Sequence, residues 1–192
     1  MGFLSDKKLH EIGFKHVGLN VKISEKASIY NPQNISIGNN TRIDDFCILS
    51  AGKEGIEIGS YVHISCYVSL IGTEKIVIKD FVALSTRVAV FSSNDDYSGD
   101  YMANATIPDK YKNVTHASVI LERHVLVGSG TIILPGVTLG IGSAVGALSL
   151  VKNDTKPFWI YGGVPARQIK KRSDSLLKKE KLFLSDLENI NG

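Results

Sequence analysis

An all-β solenoid of hexapeptide repeats, a parallel β-helix, is the fold that the 192-residue sequence predicts. Three observations predict it. First, Leu121, Val127, Ile133, Leu139, Val145 and Val151 stand six apart, and all are aliphatic. Second, a small or β-branched residue follows four places after each of the first five: Val125, Thr131, Val137, Ser143 and Ser149. Third, the same register runs earlier through Ile23 and Ile29, then Ile37, Ile43 and Leu49, then Ile58, Ile64 and Leu70, then Ile78, Leu84 and Val90. Ile37 and Ile58 are 21 residues apart, and Leu121 and Leu139 are 18 apart, so three hexapeptides with small corner insertions form one unit. Three short strands joined by tight corners make a triangular coil with the aliphatic residue inside. Coils stacked at about 4.8 Å bond to each other and bury one continuous apolar column. A period of six sustains no helical stripe of 3.6, and a hairpin sandwich would place turn signals every ~8–12 residues.

Taken in order, Ser5 to Gly13 reads as a short helix with Ser5 as cap and Gly13 as stop, covering the open end of the solenoid. His10 and His16 fall in this cap, residues 1–16, and are expected to be structural. The β-helix is expected over 17–156. A polar, aromatic-studded excursion interrupts it at 91–117, where Ile107-Pro108 and Val114 read as buried anchors. The stretch from Pro157 to Arg167 is expected to leave the solenoid. A helix then runs roughly from Ser173 to Ile190, with Leu176, Leu177, Leu182, Phe183, Leu184, Leu187 and Ile190 as its apolar stripe. All of this reads as a single domain.

A net charge of +3 leaves no face-wide basic surplus, which argues against nucleic acid as the partner. The basic residues concentrate from Arg167 to Lys181, where a nucleotide-bearing cofactor or plain solvent would suit them. Cys47 and Cys66 have no metal or disulfide spacing; Cys47 sits at an inward corner place and reads as core. No run is apolar enough for a membrane span or a signal peptide, so a reducing cytoplasm is the expected compartment.

The hexapeptides, the excursion and Gly163-Val164-Pro165-Ala166-Arg167 together resemble the hexapeptide-repeat acyltransferases, over about residues 17 to 172. The stretches NISIGNNTRIDDFCILSAG, SSNDDYSGDYMANATIPDKYKNVTHA and ILPGVTLGIGSAVGALSLVKND are more narrowly similar to acetyltransferases of nucleotide-linked amino sugars, of the dTDP-4-amino-4,6-dideoxy-glucose type. The resemblance implies a left-handed parallel β-helix, with the short N-terminal helix, the excursion loop and the C-terminal helix appended. It implies acetyl-CoA as cosubstrate and no metal. It also implies a homotrimer whose active sites lie between subunits, the excursion of one chain reaching over its neighbour.

Acyl transfer needs a base for the nucleophile's proton, stabilisation of the oxyanion and close positioning of both substrates. Galactoside and xenobiotic acetyltransferases of this fold use a histidine at the start of the excursion. Asp95 holds that place here, and no histidine lies between Leu84 and Tyr97. Asp95 and His63 are therefore the catalytic candidates, Asp95 as base or as the group that orients the sugar. Resemblance places acceptor contacts near Ser65; Asn94, Asp96, Tyr97 and His116 are assigned beside it. Asn94-Asp95-Asp96 also reads as a plain polar turn, and Asp44 and Asp45 as sugar contacts or solvated carboxylates. His124 is expected on the outer face. Resemblance runs the pantetheine past Ser129 and Ala147 and brings Lys152, Arg167 and Lys170 to the phosphates and adenine, where cationic side chains suit diphosphate.

The leading expectation is an N-acetyltransferase of a nucleotide-linked dideoxy amino sugar serving surface polysaccharide. O-acetylation of a sugar or xenobiotic hydroxyl is the alternative, disfavoured by the missing histidine because a hydroxyl depends more on a base than an amine does. A zinc site and a non-catalytic scaffold are the readings from another class, and a scaffold would leave the excursion and the Arg167 tail without purpose. His63 and His116 lack a third ligand for zinc.

Overall fold

A computed structural model describes residues 2–191; the side chains of Glu188, Ile190 and Asn191 lie outside the described residues, and Ile190's place in the stripe with them. The chain is a left-handed parallel β-helix with a helix near each end. Three parallel sheets form its sides. The first carries His16–Val17, Ile35–Ile37, Ile56–Ile58, Ile76–Ile78, Val119–Leu121 and Thr138–Leu139. The second carries Lys22–Ile23, Arg42–Ile43, His63–Ile64, Ala83–Leu84, Leu126–Val127 and Ala144–Val145, then Trp159–Gly162 and Arg167–Lys171. The third carries Ser28–Tyr30, Ile48–Ala51, Ser69–Gly72, Ala89–Phe91, Ile132–Ile133 and Leu150–Val151.

The six-residue register is the core. In the second sheet Ile23 pairs with Ile43, Ile43 with Ile64, Ile64 with Leu84, Leu84 with Val127 and Val127 with Val145. All six are buried, as are the corner residues Val125, Thr131, Val137, Ser143 and Ser149. Ile29, near the open end, is the register residue left half-buried.

The corners carry side chains in left-handed backbone. At the corner between the first and second sheets Asn20, Asn40, Tyr61, Phe81, His124 and Phe158 take positive φ, and glycine takes it at Gly142. Left-handed backbone costs a side-chain-bearing residue on the order of 1 kcal/mol or more. Ring stacking offsets that cost. Tyr61 stacks on Phe81 with centroids 5.2 Å apart, and Phe81 stacks on His124 at 4.9 Å.

The N-terminal helix α1, Asp6–Ile12, begins at the expected cap: the Ser5 hydroxyl accepts the Lys8 N–H, and Gly13 closes it in the left-handed region. Leu9 buries against the lowest coil. Ahead of α1, Phe3 bridges to Ser24 and the Leu4 N–H donates to the Ile23 carbonyl, so the first residues run beside the second sheet.

The excursion is ordered differently from expectation. Ile107 and Val114 are only half-buried and Pro108 is exposed. An antiparallel pair, Ser93–Asn94 with Thr115–His116, ties its base. Local caps hold the rest: the Asp96 carboxylate accepts from the Ser98 N–H and hydroxyl, and the Asn104 side-chain Oδ1 from those of Thr106. Short polar side chains can organise such a loop without a core of its own.

The tail also departs from expectation. It stays in the solenoid beyond Pro157, with Trp159–Gly162 pairing parallel to Ala144–Val145 and Arg167–Lys171 turning back antiparallel. Leu139 faces Thr155 and Val145 faces Tyr161, so this coil is shorter than 18 residues and fills inward places with a threonine and a tyrosine. A six-residue aliphatic count could not register it.

The C-terminal helix α2, Leu176–Asn191, docks on the aromatic corner. Phe183 packs edge-on against Tyr61 and Phe81. The Glu180 carboxylate pairs with Arg123 and accepts from His124 Nε2 at 2.8 Å. His124 thus stands on the outer face of the solenoid but is covered by α2, its side chain 11% exposed. Burial, with Arg123 and Arg172 close by, pushes its pKa below the usual histidine value against the pull of Asp80. Leu182, Phe183 and Leu184 keep much of their surface open, so the stripe is only partly covered within one chain. Replacing Glu180 by alanine is expected to cost about 2 kcal/mol, between the values of exposed and buried ion pairs. Limited trypsinolysis checks this: cleavage at Lys178 or Lys179 should precede cleavage elsewhere in the variant but not in the native protein.

Candidate active site

The residue just after each core aliphatic of the second sheet makes a vertical column: Ser24, Asp44, Ser65, Ser85 and Gly128. Each N–H donates to the core carbonyl of the next coil, Asp44 to Ile64, Ser65 to Leu84 and Ser85 to Val127. The residue just before each aliphatic points outward on the sheet face: Lys22, Arg42, His63, Ala83 and Leu126. A cavity of about 260 Å³ opens where these columns meet, lined by His63, Ser65, Ala83, Ser85, Thr86 and Ser129. Three serine side chains, one threonine and one imidazole line it.

His63 does not stand alone. Its Nε2 lies 2.9 Å from the Asp44 carboxylate, which also accepts from Arg42 Nε at 2.7 Å. Burial by itself would raise the Asp44 pKa, but the hydrogen bonds and charges of Arg42 and His63 outweigh it and hold the carboxyl below the usual range. An ionised Asp44 that accepts from Nε2 leaves Nδ1 as the ring's remaining nitrogen, and the ring is half exposed. Asp44 was read from the sequence only as a sugar contact or a solvated carboxylate. Its signal was faint, because an aspartate one place after a core isoleucine looks like any corner polar residue. Ser85 and Thr86 were missed for the same reason.

Asp95 and His116 line a different cavity, of about 640 Å³, with Thr73, Ser93, Asn104 and Lys112. It lies beneath the excursion, at the corner where the third sheet leads back to the first. The His116 Nδ1 meets the Ser93 hydroxyl at 2.9 Å. Hydrogen bonds from Ser98 and Asn113 hold the Asp96 carboxyl below its ordinary pKa and commit it to the turn. Asp95 is exposed, and among the described residues its carboxylate has no hydrogen-bonding or ionic partner. Asn94 pairs with Thr115, and Tyr97 stands 87% exposed. One chain therefore does not bring Asp95 and His63 together.

The residues assigned to CoA follow the second sheet upward. Ser129 sits in the His63 cavity and its carbonyl accepts the Leu148 N–H, next to Ala147. Arg167 and Lys170 stand exposed on the last strand, paired with Gly162 and Ile160; Lys152 is exposed just after Val151. None of these three cations lines the His63 cavity with Ser129. Cys47 is buried, and its thiol is pushed up to about 11 mainly by that burial, so it is packing. Among the described residues no group of three or more His, Cys, Asp or Glu side chains could hold a metal ion, and no helix is long and apolar enough to cross a membrane.

A left-handed β-helix with a polar column on one face and a long excursion at a corner defines a hexapeptide-repeat acyltransferase. Comparison with known proteins takes this further. The chain is 50% identical over 183 residues to a dTDP-4-amino-4,6-dideoxy-D-glucose acyltransferase from Escherichia coli, covering 95% of both. It is 49% identical to AntD, an N-acyltransferase from Bacillus cereus solved in complex with dTDP and 3-hydroxybutyryl-CoA, with a TM-score of 0.92 over 97% of this chain and 98% of that one. A hexapeptide-repeat acetyltransferase from Vibrio cholerae, 21% identical, shares the fold at a TM-score of 0.61 over 88% of this chain and 76% of that one. No family model matches the chain. The chain belongs to the dTDP-4-amino-4,6-dideoxy-D-glucose acyltransferase family.

Proposed function

We propose that this acyltransferase carries an acetyl group from acetyl-CoA to the 4-amine of a dTDP-linked 4-amino-4,6-dideoxy sugar, in the cytoplasm, for surface polysaccharide of the O-antigen kind. The observation that carries the reading is the near-complete match, in both directions, to an acyltransferase named for that sugar. The neighbour AntD has been solved with dTDP-4-amino-4,6-dideoxyglucose and coenzyme A together, which supports the same pair of ligands here.

The separation of the two cavities supports a homotrimer whose active site is completed between chains. The His63 cavity of one protomer would receive the excursion, with Asp95, of its partner. AntD was studied with an aspartate replaced and with a serine replaced, ten positions apart, and Asp95 and Ser85 stand ten apart here. In this reading the exposed Asp95 carboxylate takes the substrate ammonium. Asn94, Asp96, Tyr97 and His116 shape the loop around the sugar, and Ser65 and Ser85 bind its hydroxyls. His63, held by Asp44, accepts the amine's proton. Once the ammonium has given that proton to His63, the amine nitrogen attacks the thioester carbon, the carbon–sulfur bond breaks, and the departing CoA thiolate takes the second proton that the nitrogen loses. Ser129 and Ala147 border the pantetheine, and Lys152, Arg167 and Lys170 take the phosphates.

The test is turnover by the purified protein. Acetyl-CoA with dTDP-4-amino-4,6-dideoxyglucose should release free CoA and give one amide, and the 4-hydroxy sugar should react at least about 100-fold more slowly, as expected where a hydroxyl would need stronger base assistance. No turnover with the amino sugar overturns the reading. Faster turnover with 3-hydroxybutyryl-CoA would reassign the acyl group alone.

A further inference from the structure

On the outer face of the second sheet, large and small side chains alternate up the column. It reads His63, Ala83, Leu126, Ala144 and Ile160, in register from strand to strand. Each alanine is therefore a notch between two bulkier neighbours. His63 and Leu126 stand two ladder steps apart, about 9.6 Å at about 4.8 Å a step. Carbon atoms in contact lie about 3.5–4.0 Å apart, so the notch at Ala83 takes one hydrocarbon chain between two walls. Leu126, the upper wall, is 41% exposed, apolar surface that such a chain would cover.

The His63 cavity meets this notch on its apolar side. Ser65, Ser85, Thr86 and Ser129 line the cavity toward the next corner, and Ala83 lines it on the sheet face beside His63. Under the proposed function the amine comes to His63 and the pantetheine passes Ser129, so the thioester carbon lies between them. Its acyl tail points away from both sulfur and nitrogen. Laid over the serines, the tail would strip water from hydroxyls and give no hydrogen bond in return. Laid over Ala83, it meets a methyl floor and the Leu126 wall, where each methylene buried is worth about fourfold in affinity.

The notch also has an end. Phe81 stands two residues before Ala83, about 7 Å away at roughly 3.3 Å per residue. Its ring is fixed between Tyr61 and His124, and Phe183 of α2 packs edge-on against it. One contact distance to that ring leaves about 3–4 Å of run from Ala83. A saturated chain advances about 1.25 Å per bond, so that run holds about three bonds, the length of a four-carbon acyl group. An acetyl group leaves most of it empty.

We propose that the notch between His63 and Leu126 is the acyl slot of this transferase, that it takes unbranched acyl groups of up to about four carbons as well as acetyl, and that the small side chain of Ala83 sets that limit. The slot rests on the proposed function, since it presumes a thioester carbon held between His63 and Ser129.

The experiment is steady-state acyl transfer to dTDP-4-amino-4,6-dideoxyglucose from acetyl-, butyryl- and hexanoyl-CoA. The proteins are the native chain, Ala83→Val, Leu126→Ala and Ala144→Val. The readout is the ratio of kcat/KM for butyryl-CoA to that for acetyl-CoA, in which any loss common to both substrates cancels. The native ratio is expected at about one or above, with hexanoyl-CoA at least about tenfold below butyryl-CoA, as for methylenes that overrun an apolar pocket. Ala83→Val should lower the ratio at least about tenfold by filling the notch. Leu126→Ala should lower it about fourfold, the worth of one methylene's burial. Ala144→Val makes the same change in the next notch up and should leave the ratio within about twofold. An unchanged ratio in Ala83→Val, or an equal fall in Ala144→Val, overturns the slot and leaves the proposed function standing. A native protein that transfers acetyl but not butyryl does the same. A native protein that transfers neither group to the amino sugar overturns the proposed function and the slot with it.

Discussion

Asp95→Asn is expected to lower kcat/KM for the amino sugar about a hundredfold, the low end of what a lost proton-handling or charge-positioning group costs. The melting temperature should stay within about 1 °C, because an exposed substitution of equal shape changes stability by only a few tenths of a kcal/mol. The reasoning starts from the loop. Asp96, next in sequence, is committed to Ser98 and Asn113 and caps the turn. Asp95 has no such task and is exposed at the mouth of the excursion cavity. A charged side chain kept unpartnered beside an ordered loop suits a cationic ligand, and a substrate ammonium is one. Asparagine keeps the shape and removes the charge. Steady-state kinetics with the native protein and with His63→Gln separate the two candidates. If Asp95→Asn retains more than a third of native activity while His63→Gln does not, the proton traffic runs through His63 and the loop only binds.

The solenoid was legible because its core is periodic. A position such as Ile64 sits six residues from Ile58 and from Leu70, and each is buried for the same reason. The site was legible only in pieces. His63 and Ser65 flank Ile64, so the register that identified the core residue also placed its neighbours on the outer face and in the corner column. The Asp44–His63 contact joins residues 19 apart, one coil above the other. That pairing follows from the coil length, which small corner insertions vary, so no motif marks it. The cover over His124 was invisible for a related reason: its own hexapeptide points it outward, and only α2, more than fifty residues later, packs on it. The separation of Asp95 from His63 was invisible because proximity in sequence says nothing about which corner of the triangle a loop leaves from.

Gly38→Ala is expected to destabilise the fold by about 3 kcal/mol, the upper end of overpacking costs. For a chain of this length that is a fall of roughly 6–12 °C in melting temperature. The position follows the core residue Ile37, as Gly59 follows Ile58 one coil above. A β-carbon at Gly38 would lie 2.6 Å from the Gly59 carbonyl carbon and 2.8 Å from its oxygen. Those are backbone atoms of the next coil, held by the Gly38 N–H donating to the Ile58 carbonyl. The clash cannot be relieved by turning a side chain; the two coils must separate, and the ladder on both sides must follow. Backbone strain is not the cause, since Gly38 has no positive φ. Gly146→Ala provides the contrast. Its new β-carbon would meet nothing closer than the Tyr161 carbonyl oxygen at 3.5 Å, an ordinary contact. Thermal melts of the two variants decide the matter. A small shift for Gly146→Ala beside a large one for Gly38→Ala would show that glycine after the core aliphatic sets how closely coils approach. Equal shifts would mean that the coils can separate at little cost, and the stacking distance would then be set by the ladder alone.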